Sequence, residues 1–187
     1  GIKVIRYGMT RDWIAGLRVV TGRGDVLDVG RGLVKNATGY DLRHLLVGSE
    51  GTLGLITEGT VRLRRPPGPL SVLVLGVPEF PVVMDVLAAF QARTDVTAFE
   101  FFSELALAKV VERTGLPRPF ETACPFYVLI EFEQGNDAEA ALTAFEHCVE
   151  QGWAVDGVQS QSEDQARRLW RLREDISETI SARTPYK

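Results

Sequence analysis

The proline-rich break Arg65–Leu70, RPPGPL, separates two halves of this chain that have different hydrophobic periodicities. Proline removes a backbone donor and disfavours helix at the residue before it, so the stretch reads as a turn or linker. Before it the pattern is that of strands and turns. LRVVTGRGDVLDV reads as a hairpin with its turn at Gly22–Asp25. GLITEGTVRLR alternates, with Val61 and Leu63 on one face and Arg62 and Arg64 on the other, as in an edge strand. The opening IKVIRYG is strand-like. Tyr40–Val47 is the only helix-like piece of this half, with Leu42, Leu45 and Leu46 at helical spacing and Asp41 placed to cap it.

After the break, strands and helices alternate. Strands are expected at Val72–Val77, Val96–Phe102, Phe126–Phe132 and Trp153–Val158. Helices are expected around Val83–Phe90, at Ser103–Arg113, around Ala138–Val149 and at Glu163–Ala182. Without the Ser103–Arg113 helix the order is βαββαβ, the ferredoxin-like order, with antiparallel strands and helices covering one face. The fold class is therefore α+β. The expected organisation is a first domain over residues 1–65, a linker over 66–69 and a second domain over 70–187, incomplete at its C-terminus.

Composition excludes several classes. The 187 residues are 45% hydrophobic and 25% charged, with a net charge of −4. No lysine or arginine run supports nucleic-acid binding. A negative chain gives no long-range help to an anionic substrate, so local cations must supply it. No apolar run is long enough to span a membrane. Cys124 and Cys148 form no CxxC, so a reducing cytoplasm is the default compartment. The abrupt start at Gly1 and the stop at Lys187 suggest an internal fragment, whose parent can be peripheral to a membrane and can form a homodimer.

Two stretches carry candidate chemistry. Lys35–Thr57, KNATGYDLRHLLVGSEGTLGLIT, places Gly39, Gly48, Gly51 and Gly54 among apolar residues. On spacing alone, tight turns between strands are the better explanation. Backbone amides in such turns also bind phosphates, although this is neither a Walker loop nor a GxGxxG strand-to-helix motif. Glu50 either contacts a ligand directly or braces the loop by accepting backbone N–H groups. Lys35 is expected in solvent, and Tyr40 as a packed aromatic.

The second stretch is Glu163–Ala182. As a helix it carries an apolar stripe of Leu169, Leu172, Ile176 and Ile180, with Arg173 within or beside it and Ser177 one turn further on. Burying a lone charge is expensive, so Arg173 needs a partner. Glu174 or Glu178 would serve as well as a ligand. His44 and His147 are too few and too isolated to build a metal site, and both are expected at the surface.

KNATGYDL followed by GSEGTLGLIT, and then LWRLREDISETISARTPYK, resembles the FAD-linked oxidases and dehydrogenases of 2-hydroxy acids, whose substrates include lactate, glycolate and 2-hydroxyglutarate. The resemblance spans nearly the whole chain. It implies the C-terminal part of a vanillyl-alcohol-oxidase-type FAD-binding domain followed by a ferredoxin-like cap domain for substrate. It further implies FAD contacts at Tyr7, Gly8, Gly48, Glu50, Gly51, Thr52, Gly54 and Ile56. It implies a substrate carboxylate held by Arg173, Ser177 and Lys187, with serine where some relatives have threonine. The implied reaction oxidises a D-2-hydroxy acid to the 2-oxo acid. A zinc-like divalent metal of the parent enzyme would have its ligands, and the catalytic base, beyond Lys187. The rival readings are another flavoenzyme of the same fold, such as an alcohol oxidase or an alkyl-phosphate synthase, and a noncatalytic ferredoxin-like binding or regulatory subunit.

Overall fold

The computed structural model describes residues 1–30, 39–135 and 137–182. In chain order the elements are α1 (Val4–Tyr7), α2 (Thr10–Trp13), β1 (Ile14–Val20), β2 (Val26–Val29), α3 (Leu42–Leu46), β3 (Leu55–Val61), β4 (Leu70–Val77), α4 (Val83–Gln91), β5 (Val96–Ser103), α5 (Glu104–Thr114), β6 (Phe126–Glu133), α6 (Asp137–Glu150), β7 (Asp156–Gln159) and α7 (Glu163–Ser181). They group into two compact units. One holds Gly8–Pro66; the other holds Ile2–Tyr7 and the chain from Pro67 onward.

The first unit is a three-stranded antiparallel sheet in the order β2-β1-β3. The expected hairpin is β1 and β2, closed by a turn in which Asp25 accepts from the Thr21 amide at 2.9 Å. Arg18 stands opposite both Asp28 and Glu58 and bonds each at 2.8 Å, tying three strands through one guanidinium. The core is small: Leu17, Val19 and Leu46 are buried, with Ile14, Val29 and Val47 against them. Of the leucines expected to face inward from α3, only Leu46 does so, while Leu42 and Leu45 are exposed. The expected cap holds, since Asp41 accepts from the Arg43 amide at 3.1 Å. β3 is an edge strand that ends at Val61 rather than Arg64, and all of its residues are exposed.

The second unit contains a four-stranded antiparallel sheet in the order β5-β6-β4-β7. With β4 as the first strand of the unit, this is the ferredoxin-like order, in which the first strand lies between the third and fourth. Helices cover both faces, not one. Phe132, Ile130, Val128 and Leu75 pack with Val86 and Phe90 of α4 and Ala144 and Cys148 of α6. On the other face, Val72, Val74, Tyr127 and Leu129 meet Leu107 and Val110 of α5 and Leu169 and Leu172 of α7. A strand buried on both sides has no use for polar alternation, which is why LSVLVLGV and FYVLI are continuous apolar runs. Ser103 caps α5 by accepting from the Ala106 amide, and Gly115 ends it at φ 69.

Three expectations change. IKVIRYG is not a strand: Val4–Tyr7 forms a helical turn, held by Lys3 to Glu131 at 2.8 Å and Arg6 to Asp95 at 2.9 Å. The short helices α1 and α2 thus join α3 ahead of the proline break. The last strand begins at Asp156, because Trp153 and Ala154 instead fold back onto the end of α6, their amides bonding the Cys148 carbonyl at 2.8 and 3.2 Å.

Candidate functional site

In the first unit Glu50, Gly51 and Thr52 of the candidate cofactor residues share one turn. Ser49 accepts from the Thr52 amide at 3.0 Å, and the Thr52 hydroxyl gives a second bond to the same carbonyl at 2.7 Å. The two central residues, Glu50 and Gly51, have φ of 52° and 79°. Positive φ at both central positions is the signature of a type I′ turn. Glycine adopts it freely, whereas glutamate does so at a cost of about 1 kcal/mol. Among the described residues no backbone N–H bonds the Glu50 carboxylate, so the bracing role expected for it is not seen there.

The glycines divide by what surrounds them. A Cβ on Gly51 would meet nothing within 4 Å, so its turn is open to a ligand. A Cβ on Gly54 would lie 2.7 Å from Val19 Cγ1 and 2.9 Å from the Val20 carbonyl, so that glycine serves strand packing. Gly48, at φ 88, follows the α3 C-cap and stands beside the Arg11 guanidinium. Arg11 is half-buried and makes no ion pair among the described residues, which makes it a local cation that sequence reasoning missed. Thr52 and Ile56 are exposed. Gly8 is at φ 71 in this unit, whereas half-buried Tyr7 belongs to the other. Lys35 lies outside the described residues.

Arg43 organises the base of the turn. Its guanidinium donates to the Ile14 and Ala15 carbonyls, both at 3.0 Å, and to both oxygens of Asp41 at 2.6–2.9 Å. The hydrogen bonds from Arg43 hold the Asp41 carboxyl down at about 2. Gly30 lets this arginine pass, since a Cβ there would lie 2.4 Å from Arg43 Cδ.

In the second unit Arg173 is on α7, half-buried beside the apolar stripe. Its Nε donates to Glu100 Oε2 at 2.8 Å, and its Nη2 lies 2.8 Å from the same oxygen as an ion pair. The partner is therefore on β5, and is neither Glu174 nor Glu178. Ser177 is exposed one turn on. The stripe itself is Leu169, Leu172 and Thr179, with Ile176 partly buried; Ile180 is half exposed, and the Thr179 hydroxyl bonds the Asp175 carbonyl. Lys187 lies outside the described residues. Glu131 is the second sheet carboxylate facing α7: buried, it accepts from Thr97 at 2.7 Å, Trp170 at 3.0 Å and Lys3 at 2.8 Å. A signal for both carboxylates was present in the sequence, as single charges within the apolar runs VTAFEFF and YVLIEF.

His44 is exposed, while His147 is half-buried with its ring edge-on to Trp153 at 5.5 Å. Both cysteines are buried and free, and burial pushes the Cys148 thiol up to about 11. Among the described residues no group of three His, Cys, Asp or Glu side chains is placed to hold a metal, and no helix is long and apolar enough to cross a membrane.

Residues 67–186 match the C-terminal domain of the FAD linked oxidases. The chain belongs to this family. Relatives named D-2-hydroxyglutarate dehydrogenase are 64% identical in Stutzerimonas stutzeri (strain A1501) and 54% identical in Xanthomonas citri pv. viticola, each across 100% of this chain. The mitochondrial protein of that name from Bos taurus is 38% identical over 97% of the chain. The chain spans 41%, 40% and 34% of these relatives' lengths. Among solved structures, an alkyldihydroxyacetonephosphate synthase superposes with a TM-score of 0.63 at 18% identity, over 96% of this chain and 35% of its own. A p-cresol methylhydroxylase gives 0.58 at 14%, over 87% and 37%. These likenesses show a shared fold, and membership of the FAD linked oxidases is what implies FAD.

Proposed function

We propose that this chain is part of an FAD-dependent dehydrogenase that oxidises a D-2-hydroxy acid to the 2-oxo acid, with D-2-hydroxyglutarate as the first substrate to test. The observation that carries this reading is the 64% identity across the whole chain to a protein of that name. In this reading residues 1–65 close an FAD domain, 66–69 link, and 70–187 begin the substrate domain of a cytoplasmic enzyme that assembles as a homodimer.

The open turn at Glu50–Gly51, with Gly48, Thr52, Gly54 and Ile56 around it, fits a cofactor that approaches the backbone closely. Amides there would hold FAD without bringing a full charge against its pyrophosphate, and Tyr7 and Gly8 complete the assigned set. When bound, FAD would supply the hydride acceptor for oxidation at substrate C2. The chain's own task is binding and orientation. Arg173 binds the substrate carboxylate through its planar fork of donors, and Ser177 and Lys187 add a hydroxyl and an ammonium. Fixing the carboxylate fixes the position of C2–H, an effect of orientation on the barrier. A zinc-like divalent metal that aids removal of the hydroxyl proton would take its ligands from outside this chain.

The test is the anaerobic visible spectrum of the full-length protein, titrated with D-2-hydroxyglutarate, D-lactate and glycolate. Bleaching of the flavin by D-2-hydroxyglutarate is expected. A folded protein without flavin would overturn the enzyme reading and leave a binding subunit.

A further inference from the structure

Two carboxylates interrupt the apolar strands of the second sheet, and both face α7. Trp170 donates to Glu131, and Arg173, one turn further along the same helix, donates Nε–H to Oε2 of Glu100 with Nη2 also 2.8 Å from that oxygen. The Glu100 side chain is 19% exposed and that of Arg173 is 30% exposed, so the pair sits at the edge of the helix–sheet contact. Resting on the reading of Arg173 as the carboxylate-binding residue, we propose that Glu100 is its positioning residue.

The argument is one of geometry. A guanidinium is a rigid plane, so an Nε hydrogen bond with Nη2 in contact with the same oxygen fixes the whole fork. Nη1 makes no bond among the described residues, and its donors remain for a ligand. Without Glu100 the head loses its fixed acceptor, and the positions three and four residues away on its own helix offer no carboxylate to replace it. Glu100 also repels a bound anion, because like charges across one guanidinium remain close. Orientation and repulsion act in opposite directions on substrate affinity, so substitutions can separate them.

The experiment uses the full-length flavoenzyme and steady-state kinetics with the D-2-hydroxy acid that bleaches its flavin. Glu100→Ala should raise KM about tenfold with kcat changed less than about twofold and flavin content retained. Glu100→Gln keeps an oxygen acceptor for the Nε–H and removes the charge, so its KM should return to or fall below that of the parent. Arg173→Ala should raise KM, and adding Glu100→Ala to it should raise KM no further and should lower it where the unpaired carboxylate repels the anion. Gln as impaired as Ala, or additive effects in the double variant, would overturn the positioning role. An unchanged KM in Arg173→Ala would overturn the underlying site assignment, whereas a raised KM there beside an unchanged one in Glu100→Ala would overturn only the role of Glu100.

Discussion

All seven residues of β3 are exposed, whereas six consecutive residues of β6 are buried. Both strands are rich in apolar and β-branched residues, so the difference lies in what covers them. β6 is flanked by strands on both sides and by helices on both faces. Among the described residues β3 pairs only with β1, and Leu55 and Val61 remain 68% and 55% exposed. One unit therefore closes its own core, while the other, among its described residues, buries only a small apolar cluster around Leu17, Val19 and Leu46. Exposed apolar surface of that kind is where further protein or a cofactor gains most by binding.

The comparison is sharpest in stability measurements. Phe132→Ala should destabilise the second unit by about 3–5 kcal/mol, since the ring is fully buried. Ile56→Ala in β3 should cost the first unit less than about 0.5 kcal/mol. Urea unfolding can follow each unit by its own tryptophans, Trp13 in the first and Trp153 with Trp170 in the second. Comparable losses would break the contrast.

Within the first unit, Gly54→Ala should cost about 1–3 kcal/mol because the new methyl meets backbone. Gly51→Ala has open space and only the cost of its φ, about 1 kcal/mol. In the full-length protein the order should reverse for cofactor retention. Gly51→Ala should lose flavin more readily than Gly54→Ala does, measured as the ratio of visible to protein absorbance.

The smallest effect is electrostatic. Asp41 has its carboxyl lowered to about 2, so its pairing with Arg43 stabilises the folded unit fully above an unfolded value of about 4. That contribution fades as pH falls from there through about 2. The carboxylate is 42% exposed and screened by water, which keeps the contribution below about 1 kcal/mol. Asp41→Asn should flatten the acid limb of the Trp13 transition and leave the other unit unchanged.

How much of this was legible follows from range. The Asp41 cap, the Thr21–Asp25 turn and the Ser103 cap each depend on residues a few positions apart, and the sequence displays them. The four-strand order follows from alternating periods and a known topology. The second helical layer was not legible, because a continuous apolar run does not say which helices lie on which face. α1 was misread because IKVIRYG alternates like a strand, while its ion partners, Asp95 and Glu131, are distant in sequence. For Arg173, the helix spacing showed that it needed a partner, but not that the partner was Glu100 on β5. At the glycine turn, spacing could not tell Gly51, which faces open space, from Gly54, which faces Val19.

The position of β4 inside its sheet has a consequence for synthesis. β4 is the first strand of its unit to leave the ribosome, yet Leu73 pairs with Ile130 on one side and Gln159 on the other. At about 5–20 residues per second, roughly 4–17 seconds separate Leu73 from Gln159. Until Ile130 emerges, Leu70–Val77, apolar but for Ser71, has no strand neighbour and is an aggregation-prone stretch of the nascent chain. Overexpression at low temperature, which lengthens the wait, should therefore depend more heavily on holdase chaperones than the finished protein's stability would suggest.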